Sequence, residues 1–169
     1  DPEVFIEKDH SAIDTTILKE GDYYYRYTKN ESTARIFAEK TTDLLHTEPI
    51  NITVPTLASQ SGLEGPSIYK FNEDDVASIG YKYCLLLDNY GSGGYYPMVS
   101  NDLNGDFVKY SGSYSMPGGN RPPRHGTPVR ITEAEYKQVM AVMADAAAVS
   151  GISIDGEALD GFEASVRNY

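Results

Sequence analysis

The chain has 169 residues, 40% of them hydrophobic and 23% charged, which is the composition of one ordinary globular domain. Its net charge of −11 repels phosphate backbones, so nucleic acid is not an expected partner. No apolar run approaches the length of a membrane-spanning helix, so no membrane partner is expected, and a single cysteine, Cys84, excludes an intramolecular disulfide and a multi-cysteine zinc site.

No basic segment followed by an apolar stretch opens the sequence, so no signal peptide is read there. Ile13 to Leu18 is a short apolar run broken by Asp14, and Glu20-Gly21-Asp22 is a hairpin turn signal. Tyr23 to Thr28 and Ala34 to Glu39 are the next strands, with Thr41 to Leu45 as a turn or short edge strand. The pattern then restarts. Gly65 to Phe71 is a strand, Asn72 to Gly80 a polar hairpin loop, and Tyr81 to Asp88 a strongly apolar strand. A glycine-rich turn, Gly91 to Gly94, leads to Tyr95–Ser100, and Asn104-Gly105-Asp106 turns into Phe107–Tyr110. Gly91-Ser92-Gly93-Gly94 lacks the Gly-Lys-Ser/Thr ending of a phosphate loop and precedes no helix. A third start lies at Arg124 to Ile131.

Each start carries a polar residue at or just before an apolar strand: Asp14, Glu64 and His125, at offsets of 50 and 61 residues. Repeated four-stranded units of that size suggest blades of a β-propeller. A β-sandwich also produces many short strands. The end of the chain differs. Thr132 with Glu135 forms a capping-box pattern, and Val139, Met140, Val142 and Met143 give a helical apolar face to about residue 148. From residue 149 a linker and a truncated β module are expected, beginning with Ile152-Ser153-Ile154. The domain boundaries are thus 1–148 and 149–169.

The polar residues each admit two readings. Asp14 in an apolar strand is a sheet-edge carboxylate capping a backbone N–H, or one pointing into a polar channel. Glu64, with Gly65-Pro66 fixing the backbone behind it, is an exposed turn residue or a general acid with a raised pKa. His125 is a hydrogen-bonded structural histidine or a contact for an anion or a metal-bound water. Cys84, between Tyr83 and Leu85, is a core residue. The 14 tyrosines, with 5 phenylalanines and no tryptophan, suit either a sheet surface or a sugar-binding cleft.

Four stretches together carry a family resemblance. They are Ile13-Asp14-Thr15-Thr16-Ile17 with Gly21 to Tyr27, Leu63-Glu64-Gly65-Pro66-Ser67-Ile68, Tyr83 to Asp88, and Arg124-His125-Gly126-Thr127. In order and spacing they resemble the second half of glycoside hydrolase family 43, five-bladed propeller enzymes acting on arabinose- and xylose-containing glycans. The resemblance covers about residues 1–140. It implies an all-β fold, a partial propeller of about three blades, with a short helix near residues 132–148. It implies Glu64 as the general acid and Asp14 as the carboxylate that orients it and holds it protonated near neutral pH. Arg124, Tyr90 and Lys29 fall to substrate binding, and His125 to a calcium ion reached through water. The partner implied is a plant cell-wall polysaccharide such as arabinan or xylan, and the place of action is extracellular.

The family inverts configuration with a third carboxylate, a base in the first blade. Only 13 residues precede Asp14, so a fragment lacking the base is expected, with self-association through an open blade face. The alternatives are a non-catalytic carbohydrate-binding or structural propeller module, and an unrelated β-sandwich adhesin.

Overall fold

The computed structural model describes residues 4–91, 93–116 and 124–150, the last seven of these by backbone alone. The chain divides into two units, Asp1–Pro128 and Val129–Tyr169. The first unit is mostly β. Strands β1 (Ala12–Glu20), β2 (Tyr23–Asn30), β3 (Arg35–Thr41) and β4 (Ile50–Ile52) form one antiparallel sheet in chain order. After the short helix α1 (Pro55–Ser59), strands β5 (Leu63–Lys70), β6 (Tyr83–Asn89), β7 (Gly94–Ser100) and β8 (Val108–Lys109) form a second.

Several details depart from the sequence expectations. The edge strand of the first sheet is Ile50–Ile52, while Thr41 to Leu45 takes the turn alternative, residues 42–47 being bends and turns. Asn72–Gly80 holds the helix α2 (Glu73–Ile79), with Glu73, Asp74 and Asp75 in its first turn and Gly80 closing it at φ 83°. Acidic side chains at the positive end of the helix and a left-handed glycine at its close explain why this polar stretch coils into helix. The third start does not become a strand: residues 124–132 are irregular.

The two sheets repeat one plan. In β1 the register skips between Ile13↔Lys29 and Thr16↔Tyr27, so Asp14 and Thr15 stand opposite Thr28 alone. In β5 it skips between Glu64↔Asp88 and Ser67↔Leu86, so Gly65 and Pro66 stand opposite Leu87. The first bulge residue is left-handed in both, Asp14 at φ 54° and Gly65 at φ 51°. A single extra residue bends the strand and re-aims its side chains. At the far ends, Thr41 and Ser100 place the same device. Each hydroxyl donates to the carbonyl two residues on (Asp43, 2.7 Å; Asp102, 2.9 Å) and to one six residues on (Thr47, 3.3 Å; Asp106, 2.9 Å).

The core lies between the sheets. Tyr25, Tyr27, Ile36 and Ala38 of the first belong to one buried cluster with Ile68, Leu85, Leu87 and Met98 of the second, joined by Leu57 of α1. Tyr27 meets Phe107 edge-to-face at 5.7 Å between centroids. Positions equivalent to Leu85 and Met98 are Arg26 and Glu39, which pair across β2 and β3 as Leu85 and Met98 pair across β6 and β7. Their face of the first sheet is closed by residues 4–10. Arg26 Nε donates to Glu39 at 3.1 Å, Lys8 also pairs with Glu39, and the guanidinium lies 5.5 Å from the Phe5 ring. Cys84 is fully buried in β6, and burial pushes its thiol up to about 12.

In the second unit, helix α3 (Glu133–Ser150) opens on the predicted capping box. Glu135 N–H donates to Thr132 Oγ1 at 3.2 Å, and Thr132 N–H donates back to Glu135 Oε2 at 2.7 Å. The expected β piece from Ile152 onward lies outside the described residues. No helix among the described residues is long and apolar enough to cross a membrane.

Candidate active site

The two bulges and a third left-handed turn build one cluster. His125 has φ 50°, close to the angles of Asp14 and Gly65. Each of the three is followed two residues later by a hydroxyl, at Thr16, Ser67 and Thr127. The structurally repeated positions are therefore Asp14, Gly65 and His125, so Glu64 stands one residue before the repeat and is the counterpart of Ile13. That offset matters for chemistry. Asp14 sits on the bulge and reaches the next sheet, whereas Glu64 sits beside it, opposite Asp88.

Asp14, Glu64 and His125 bring one ligating atom each within 4.8 Å of one another. Asp14 Oδ2 accepts the Gly65 N–H at 3.1 Å, and Thr16 Oγ1 accepts the Ile68 N–H at 3.2 Å, so β1 is pinned to β5. Asp14 thus caps a backbone N–H and also borders a cavity of about 280 Å³, walled with it by Thr15, Thr16, Tyr95, His125 and Thr127. Glu64 is 16% exposed at its side chain and carries three nitrogen partners. Lys29 Nζ donates to Oε2 at 3.1 Å, His125 Nε2 lies 3.1 Å from Oε1, and Arg124 Nη2 donates to the same oxygen.

These partners set the charge state of Glu64. Burial alone raises its pKa, but the hydrogen bonds from His125, Lys29 and Arg124 outweigh burial and hold it below the usual glutamate range. Their pull favours the ionised carboxylate, opposite to the protonation expected from Asp14. Lys29 is buried, yet Glu31 at 2.6 Å and Glu64 hold its pKa above the usual lysine range. Its ammonium lies 5.4 Å from the ring of Tyr90, which is 46% exposed. Arg124 is half-exposed and spans two carboxylates, with Nε donating to Asp88 Oδ2 at 2.6 Å.

All six residues singled out from the sequence therefore fall in one neighbourhood. The residues missed are Asp88 and Tyr95. Asp88 is fully buried at the end of the Leu85–Leu87 run and lies 3.8 Å from His125 Nε2. A charged residue closing an apolar strand was the available signal, the same one that marked Asp14. Tyr95 hid among many tyrosines. As direct ligands these three residues do not make a calcium shell, which takes six to eight oxygens. Here an imidazole nitrogen stands with two carboxylates, one of them already held by Lys29 and Arg124.

Residues 1–137 match a family model described as "Probable glycosyl hydrolase domain", related to glycoside hydrolase family 43. A curated relative, an alpha-L-arabinofuranosidase of Bifidobacterium longum subsp. longum, is 32% identical over 112 residues, covering 53% of this chain and 10% of that protein. The chain thus spans about a tenth of the length of that relative. No solved structure matches the chain. By the extent of the family match, the chain belongs to the glycosyl hydrolase domain family related to glycoside hydrolase family 43.

Proposed function

We propose that this domain supplies the acid half of a site hydrolysing arabinose- or xylose-containing plant polysaccharides, on adjacent blades of a propeller. The observation that carries the proposal is the convergence of Glu64 with Asp14 and His125 in a chain of this family. The name of the arabinofuranosidase relative favours arabinose among the sugars. An extracellular place of action follows from a polysaccharide substrate.

Glu64 is the general acid in this reading. Its proton goes to the glycosidic oxygen as the bond to the anomeric carbon breaks, and a water activated by a separate base attacks from the opposite face. An ionised Glu64 must first take up a proton. Arg124 is the partner that can yield, because it is half-exposed and keeps Asp88 when it leaves Glu64. A sugar that displaces Arg124 from Oε1 removes one positive neighbour and raises the proton affinity of Glu64. Lys29 and Asp14 then orient the carboxyl group, Lys29 through Oε2 and Asp14 through the Gly65 backbone. Tyr90, on the Lys29 ammonium, offers its ring to a sugar face.

A second reading has a specific observation behind it. The three nitrogen donors on Glu64 suit a non-catalytic module that binds glycan through fixed charges. The test is turnover of aryl arabinofuranosides and xylopyranosides by the chain and by a longer protein containing it, each with Glu64→Gln. Loss of about 10²–10⁴-fold turnover, with oligosaccharide binding retained, is expected of an acid. Near-full turnover in the variant overturns the acid role, and binding without turnover in every protein favours the module.

A further inference from the structure

Among the described residues no strand holds the Arg124–Gly126 turn, yet it delivers two of the three groups that bind Glu64. One side chain holds its backbone. Tyr95, from β7, is 6% exposed, and its hydroxyl lies between the turn and the bulge. It donates to the Gly65 carbonyl at 2.8 Å and accepts the Gly126 N–H at 2.7 Å, with the Gly126 carbonyl at 3.4 Å. A phenol has one proton to give and lone pairs to receive, so it can satisfy both backbones at once. Burial, ahead of smaller effects, keeps the phenol above its usual pKa, so it remains a donor.

Gly65 makes the arrangement sterically possible. A Cβ there would lie 3.2 Å from the Tyr95 hydroxyl and 3.2 Å from Cγ and Nδ1 of His125. The bare backbone lets both groups approach. The first sheet has no such bridge, because Ile36 stands where the second has Tyr95.

We propose that the Tyr95 hydroxyl is the positioning group of this site, tying the Arg124–Gly126 turn to the Glu64–Gly65 bulge and so keeping Arg124 and His125 on the Glu64 carboxylate. Its catalytic consequence rests on the reading of Glu64 as the acid; the tie itself does not.

Tyr95→Phe tests it by removing the hydroxyl and keeping the ring. In the folded variant the Arg124 Nη2–H resonance, the one on Glu64, should lose its protection from exchange. The midpoint of Glu64, followed by carbon NMR of its carboxyl, should rise by about one pH unit or more, since each nearby opposite charge shifts a carboxylate by that order. The groups facing Glu64 are Lys29, Arg124, His125, Asp88 and Asp14, and Arg124→Ala gives the rise expected when one cation is lost outright. A folded Tyr95→Phe with an unchanged Glu64 midpoint and a protected Arg124 Nη2–H overturns the proposal. A merely packing role would lower stability and leave both readouts alone. If Tyr95→Phe does not fold, exchange of the Gly126 amide in the unaltered chain decides. Protection like that of a strand amide supports the tie, and exchange at the rate of a free amide overturns it. None of these readouts needs turnover, so failure of the acid reading, tested by Glu64→Gln, stays distinguishable.

Discussion

The two sheets share a backbone and differ in what they put on it. Both carry a left-handed bulge on the first strand and a hydroxyl plug after the third, at matching registers. Along the row beside the bulge, the first sheet has Ile13, Lys29 and Ile36, and the second has Glu64, Asp88 and Tyr95. Where the second has Leu85 and Met98, the first buries Arg26 and Glu39. Bulge and plug set where side chains point, while the row decides whether the position is structural or chemical.

The largest effect should come from breaking the charged row of the first sheet. Glu39→Ala strands buried Arg26 without its carboxylate and should cost about 3–5 kcal/mol in denaturant unfolding. Rewriting the row in the manner of the second sheet, Arg26→Leu with Glu39→Met, should recover most of that loss, since a packed apolar pair often matches a buried ion pair. A double variant as unstable as the single one would show that the two rows are not interchangeable.

Next is the bulge. Gly65→Ala puts a Cβ at φ 51° against His125 and Tyr95 and should cost about 2 kcal/mol, since the left-handed conformation alone costs 1–2. Asp14→Gly relieves the same strain in the first sheet but loses the bond to Gly65 N–H, so its net change should be smaller. Equal losses by thermal unfolding would contradict the difference in their surroundings.

The plugs come third. Thr41→Val and Ser100→Ala each remove one hydroxyl that serves two carbonyls, and each should cost about 1–2 kcal/mol, nearly equally. Unequal costs would mean the shared geometry carries unequal strain.

The smallest effect is the pH dependence that Glu64 adds. Glu64 has a folded pKa below its unfolded value, so its contribution is present above the unfolded pKa and fades as pH falls through the folded one. Glu64→Gln should lessen the acid-side slope of the stability curve below about pH 4.5, the ordinary glutamate value. Ile13→Ala, at the matching position of the first sheet, should leave that slope alone.

Much of this was legible in the sequence, for definable reasons. Alternation and turn residues marked β1 to β3 and β5 to β7, and polar residues breaking apolar strands marked Asp14 and Glu64. The capping box at Thr132 and Glu135 marked α3 because its bonds are local. What failed was non-local or competing. The third start has the local turn of the other two, but among the described residues it finds no strand partner. Asn72–Gly80 has only Val76 and Ile79 for an apolar face, so its helix shows mainly in its acidic first turn and closing glycine. The charge state of Glu64 depends on Lys29 and Arg124, far from it in sequence, and no spacing within the Glu64 segment reports them.

Cys84 gives the molecule a clock of its own. A thiol with no exposed surface and a pKa near 12 offers almost no thiolate to a modifying reagent at neutral pH while β6 is paired. Labelling must therefore wait for the second sheet to open. Where the reagent reacts faster than the sheet recloses, its rate counts those openings one molecule at a time, without a denaturant.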